Sequence, residues 1–574
     1  MNQIASMSKE DQTNERLIIY QVLPRLLTNP TEDCVPFGSV ERNGSGKMNH
    51  FSSILLKSIR ALGVNCIWYT GIIEHATKSD FTDFGIRADN PNVIKGEAGS
   101  PYAIKDYYDV NPYLAENVYE RMKEFEQLVE RTHEEGMKVL IDFVPNHTAR
   151  QYCSDVSPVG EKDFGVEDDT SRIFAPSNNY YYITSQQFAP TFPLDMEGEK
   201  YVEFPAKVTG NDCFTAFPGP NDWYETVKLN YGHDYGDGSD HFIPVPDTWE
   251  KMFRILHFWA SKGVDGFRCD MVFMVPLAFW HWVIPRLRHE FPYLIFIGEI
   301  YDVAQYRPFL DYGCFDYLYD KVNLYDTLVG IECGDVSAAR LTSVWQTVDG
   351  IGERMLNFLE NHDEVRFAST AYASQPANVV PYLVVSAMMG KGPFMIYFAQ
   401  ELGEDAHDNE GFAGDNHRTS IFDYWSYDTM RRWNNGGLWD IALLSAQERW
   451  LRELYSRVLH LCNESKPLRI GEFFDFMYVN LNNKDLDPHS IFAFMRYVRD
   501  EEVVLVVANF SDRSSQVKLI IPQLAFEMSG MQEAALMAKD LLSGREVPLV
   551  LSRTSSTLVE VGSKSAAVLG FSLR

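Results

Sequence analysis

Long apolar runs are missing from this sequence. No stretch approaches the roughly 18 uninterrupted apolar residues that a membrane-spanning helix needs, and a membrane is not expected as a partner. Cysteine is sparse, with 8 residues in 574, and none stand in a C-x-x-C pair. Cys66 and Cys269 fall inside expected strands. Such usage argues against a disulfide frame or a zinc site and predicts buried free thiols in a reducing compartment. Basic residues are outnumbered, 51 Lys and Arg against 80 Asp and Glu, for a formal net charge of -29. A surplus of negative charge of that size argues against nucleic acid as a partner. The first sixteen residues, including Lys9-Glu10-Asp11, carry no apolar core of signal-peptide length, so a cytoplasmic location is the expectation.

What the chain does have is apolar and aromatic residues, 45% and 14% of the total. At this length two or three domains with a large core are expected. Leu17 to Val22 reads as a strand, Phe51 to Leu62 as a helix closed by Gly63, and Asn65 to Tyr69 as a second strand. Met122, Phe125, Leu128 or Val129, and Thr132 recur at helical spacing before Gly136. A helix from about Trp249 to Ser261 ends at Gly263. Units of strand, helix and strand require parallel pairing.

Four apolar runs deliver ionisable groups at their C-terminal ends. Val139 to Val144 leads to Asn146-His147 and contains Asp142; Gly266 to Met271 carries Arg268 and Asp270; Leu294 to Gly298 ends in Glu299; Met355 to Leu359 leads to Asn361-His362-Asp363. Side chains alternate along a strand, so Arg268 and Asp270 point to the same side. A cation beside a carboxylate favours its ionised form, which a nucleophile requires. An isolated R-x-D is more often a structural ion pair. Delivery of several such groups from parallel strand ends is the arrangement of a (β/α)₈ barrel.

In this order, the four segments resemble the signature regions of the α-amylase superfamily, glycoside hydrolase family 13, and the resemblance extends from about Leu17 to the C-terminal domain. It implies an α/β architecture: a (β/α)₈ TIM barrel with an inserted lobe after strand 3 and a C-terminal antiparallel β domain. The barrel is expected over residues 1–147 and 248–465, the lobe over 148–247, and a C-terminal β-sandwich over 466–574. The remaining barrel strands fall at Phe315 to Tyr319 and Pro393 to Phe398, with a closing helix from Glu448 to Cys462. Short alternating strands follow at Ile491 to Arg496, Val503 to Asn509, Gln516 to Ile521, Ser556 to Val561 and Ala567 to Phe571.

The resemblance implies roles for individual residues. Asp270 would be the nucleophile, Glu299 the general acid and base, and Asp363 a binder of two sugar hydroxyls. Tyr102 would stack on the sugar, His147 and His362 would hydrogen-bond it, and Asp142 would support Arg268. Retention of configuration needs two carboxyl groups roughly 5 to 5.5 Å apart, one ionised and one protonated. Glu299, after an apolar run with no basic neighbour in sequence, is suited to hold the proton. Asp222 to Glu225 and Lys228 to Gly232 are the lobe's candidates for substrate contact. Gln400-Glu401 resembles the family's last signature segment.

Where many members carry Lys-His shortly after the nucleophile, this chain has Phe273-Met274. Those residues bind leaving-group sugars, and the histidine carbonyl is a calcium ligand. Met274 could still offer its carbonyl and Asn146 matches another ligand position, but no carboxylate partner is identifiable, so calcium stays open; no other cofactor is required. The expected activity is retaining hydrolysis of α-glucans or maltooligosaccharides through a covalent glycosyl-enzyme. A transglycosylase or isomerase of the trehalose synthase or maltosyltransferase type shares all these residues. A non-catalytic carbohydrate-binding or partner subunit is the more distant reading, because the three carboxylates are present.

Overall fold

Eight short, fully apolar or nearly apolar strands are buried on both sides, which only a closed parallel sheet covered by helices provides. In the computed structural model, which describes residues 15–194 and 199–573, they are β1 (Ile18–Val22), β2 (Cys66–Tyr69), β3 (Lys138–Phe143), β4 (Gly266–Cys269), β5 (Ile295–Gly298), β6 (Tyr317–Tyr319), β7 (Met355–Phe358) and β8 (Phe394–Tyr397). They close into a barrel in sequential order, with β8 returning to β1. The expected (β/α)₈ barrel is therefore present. The polar opening that includes Lys9-Glu10-Asp11 lies outside the described residues. No helix among the described residues is long and apolar enough to cross a membrane.

Helix limits follow local chemistry. The helix Arg121–Glu134 buries Phe125, Leu128, Val129 and Thr132, and Gly136 beyond it takes φ +73°, a conformation that costs glycine little. The helix Ala446–Glu464 begins with a capping box from Ser445 and Glu448. It is tied to the barrel by Arg452, which pairs with Glu401 at 2.8 Å, while Tyr20 of β1 donates to the same carboxylate at 3.0 Å. Glu401 thus fastens the end of β8 to β1 and to the closing helix.

The register places the ionisable strand ends together. Arg268 is paired with Asp142 on one side and Ile297 on the other, so Glu299, two residues past Ile297, projects on the Arg268 side. The long excursion after β3 starts with His147–Ala149 paired to Thr226–Lys228. It has its own small core, including Phe188, Tyr201 and Tyr224.

Past the closing helix, a six-stranded antiparallel sheet runs in the order Glu472–Asp475, Ile491–Val498, Glu502–Asn509, Ser565–Ser572, Ala534–Asp540, Glu546–Leu551, with Ser515–Leu519 and Thr557–Val561 as a separate pair. The strands at Ala534–Asp540 and Glu546–Leu551 escape the sequence reading. Most of their residues are exposed or half-buried, so no strong apolar alternation marks them. All eight cysteines are free, but only Cys66, Cys269 and Cys462 are buried as expected; Cys34, Cys153, Cys213 and Cys314 are half-buried and Cys333 is exposed.

Candidate active site

Arg268 is the centre of the site. Its Nη1 lies 2.8 Å from Asp270 Oδ1 and 3.7 Å from Asp142 Oδ1, and its Nη2 lies 2.7 Å from Glu299 Oε1. Nε donates to the Tyr319 hydroxyl at 3.2 Å. The rings of Trp68, Tyr102 and Tyr319 surround the guanidinium at 5.3, 5.4 and 5.5 Å. A fully buried cation held by three carboxylates and three aromatic rings has a fixed position.

The expectation that Glu299 has no base beside it does not hold in space. Arg268 comes to it from the adjoining strand, a contact that sequence neighbours cannot reveal. Glu299 also accepts from the Met271 N–H at 2.8 Å and the Tyr301 hydroxyl at 2.6 Å. Burial pushes the Asp270 carboxyl well above its ordinary value, and the nearby Glu299 adds to the rise; Arg268 opposes both. The Asp270 charge is thus costly in a dry site beside a second carboxyl, and Arg268 is what offsets that cost.

Asp363 responds differently. Burial opposes its ionisation, but His362, whose Nε2 is 3.0 Å away, and Arg268 outweigh that and bring it down to about 2. Gln21 donates to His362 Nδ1 at 2.7 Å, and the Tyr102 hydroxyl is 2.6 Å from Nε2. The Tyr102 ring stacks on His362 with centroids 5.1 Å apart, and its hydroxyl donates to Asp142 at 3.2 Å. Trp68 donates to the other oxygen of Asp142 at 3.0 Å. Asp142 therefore supports both Arg268 and Tyr102. His147 is pushed down to about 3, first by burial and then by Lys228, which makes it a neutral ring.

Tyr102, His147, Asp270, Glu299 and Asp363 line one cavity of about 250 Å³. Arg268, Asp142 and His362 stand behind it. The sequence reading missed several contributors. Tyr301 was legible, since it lies two residues beyond Glu299; Trp68, one residue before the end of β2, and Tyr319, the last of β6, belong to barrel strands without any polar motif; Lys95 sits in an unpatterned loop. Of the lobe candidates, Trp223 and Glu225 reach the cavity, whereas Tyr224 joins the lobe core.

Lys228 decides the fit of a calcium ion. Its Nζ lies 2.5 Å from Asn146 Oδ1, 3.1 Å from the Met274 carbonyl and 2.7 Å from Asp212 Oδ1. These are the two ligand positions the resemblance implies, with the carboxylate that sequence alone did not identify. The buried ammonium stands where they converge, and its three N–H donors match three acceptors. The residues do not fit a divalent cation at this point. A chelator is expected to leave activity and melting temperature unchanged, whereas Lys228→Ala, which strips a buried charge from its partners, is expected to destabilise by about 3 kcal/mol. Thermal denaturation with and without chelator checks both; a chelator-induced fall in the wild type would contradict the assignment.

The family model for the α-amylase catalytic domain matches residues 36–280. Over that stretch the chain matches the α-amylase family. A relative, the α-glucosidase of Apis mellifera, is 23% identical, with 88% of this chain and 86% of that protein covered. The amino acid transporter heavy chain SLC3A1 of Mus musculus is 26% identical, over 44% of this chain and 28% of its own. Among solved structures, a maltogenic α-amylase, AmyB from Thermotoga neapolitana, superposes with a TM-score of 0.62 at 20% identity, covering 98% of this chain and 100% of that one. The fold likeness thus spans the barrel, the lobe and the C-terminal sheet.

Proposed function

We propose that this protein is a retaining α-glucoside hydrolase that removes one sugar at a time from a chain end. Asp270 attacks the anomeric carbon and Glu299 protonates the departing oxygen, giving a glycosyl ester on Asp270. Glu299 then takes a proton from water, which attacks the same carbon and releases a sugar of unchanged configuration. Once Asp270 is esterified its charge is gone, and Arg268 faces a Glu299 carboxylate that serves as base.

The observation that carries this reading is the pairing of Asp270 and Glu299 through one buried arginine, at a cavity about the size of a single sugar ring. The cavity's far wall supports action at a chain end. Lys95 and Glu225, both buried, form an ion pair at 2.9 Å, and the Ala98 N–H donates to the Phe422 carbonyl at 2.9 Å. The loop before Tyr102, the lobe and the loop after β8 therefore meet beside the sugar position, leaving no through-going groove there. All three carboxylates favour catalysis over a binding role alone.

Digestion of maltoheptaose tests the reading. Glucose, released from the first time points as the α-anomer, is expected to accompany maltohexaose. Early mid-length products would contradict action at the end, β-glucose would contradict retention, and longer chains or trehalose would indicate transfer or isomerisation.

A further inference from the structure

Beyond Glu299, away from the one-sugar cavity, a second cavity of about 580 Å³ opens between the lobe and the turn that follows the nucleophile. Phe273 and Met274 form its near wall. The Phe273 ring is 6.1 Å from that of Tyr301, whose hydroxyl lies on Glu299. This cavity is consequently on the side of the acid, where the leaving group departs.

Its polar groups are largely spent on one another. Lys228 uses its donors on Asn146, Asp212 and Met274. The Tyr181 and Tyr231 hydroxyls donate to the carbonyls of His233 and Pro145, each at 2.7 Å. His233 pairs with Asp240 at 2.7 Å. What faces the space is mainly apolar, namely Phe273, 37% exposed, with Phe242, Leu277 and Phe309, and the half-buried amide of Gln305 stands among them. Tyr235 extends this wall, packed against Phe214 and Tyr181 at 4.9 and 5.4 Å. Exposed Asp240 and Asp302 stand at the margin.

We propose that this second cavity selects an uncharged aglycone with an apolar ring, of the aryl-alkyl class, over a second sugar or a phosphorylated group. The proposal rests on the glucoside-hydrolase reading above. A sugar there would lose water from hydroxyls that find few free partners. An aromatic ring exchanges water for Phe273 and Tyr235 at no such cost. An anionic aglycone meets two aspartates and a lysine whose charge is already balanced.

The test compares kcat/KM for benzyl α-glucoside, maltose and α-glucosyl fluoride in the wild type and in Phe273→Asn. The expected wild-type preference for benzyl glucoside over maltose is about tenfold or more, a discrimination of the size one apolar contact surface gives. Phe273→Asn should bring that ratio near one while changing the fluoride, which carries no ring to place there, by less than about twofold. A wild-type preference for maltose, or an equal loss on benzyl glucoside and maltose in the variant, would overturn the proposal. No turnover of the fluoride by the wild type would bring down the hydrolase reading itself and the proposal with it.

Discussion

Asp270→Asn is expected to lower kcat/KM on an α-glucoside by about 10⁴-fold or more, the scale seen when a nucleophile is removed. Its melting temperature should be unchanged or higher. The carboxyl is buried and pushed well above its ordinary value, so a neutral amide of the same shape removes a desolvation penalty. Arg268 keeps its contact with Glu299 at 2.7 Å and stays paired. Activity assays alongside thermal denaturation check both halves. Loss of activity accompanied by a collapse in stability would point to a structural role instead.

Glu299→Gln should separate the two chemical steps. On substrates with alkyl or sugar leaving groups, loss of the acid is expected to cost about 10²- to 10⁴-fold in kcat/KM. On α-glucosyl fluoride, whose leaving group needs no proton, kcat/KM should change by less than about tenfold. Its kcat should nevertheless fall, because the base that activates water is missing and the glycosyl-enzyme accumulates. Azide, which attacks without a base, is expected to restore kcat and yield α-glucosyl azide. The wild-type fall in rate at high pH, where a general acid has lost its proton, should disappear in this variant. Equal losses on fluoride and alkyl glucosides in kcat/KM would remove Glu299 from the acid's place.

The barrel and the ionisable ends of its strands were legible because strand ends bring such residues to one face. Asp142, Arg268, Asp270, Glu299 and Asp363 could be found from apolar runs and their last residues alone. The contacts that set their charge were not legible, because they cross between strands. Arg268 reaches Glu299 only through the register of β4 on β5. Lys228 stood among the expected substrate contacts of the lobe, and nothing local showed its actual place: it meets Asn146, Asp212 and Met274 only after three separate segments fold together. Lys95 and Glu225 are likewise far apart in sequence, and nothing in either stretch indicates that they close a cavity. The strands at Ala534–Asp540 and Glu546–Leu551 were missed because their exposed faces also carry apolar residues, Met537 and Val550 among them, and Pro548 interrupts the second, so the sequence does not show the alternation on which recognition depends.

Trapping the glycosyl-enzyme tests the central claim most directly. Incubation with 5-fluoro-α-glucosyl fluoride, which forms an ester readily and releases it slowly, should add one sugar residue to the protein, and peptide mapping should place it on Asp270. Turnover of this reagent with no adduct, or an adduct on a different carboxylate, would contradict the account.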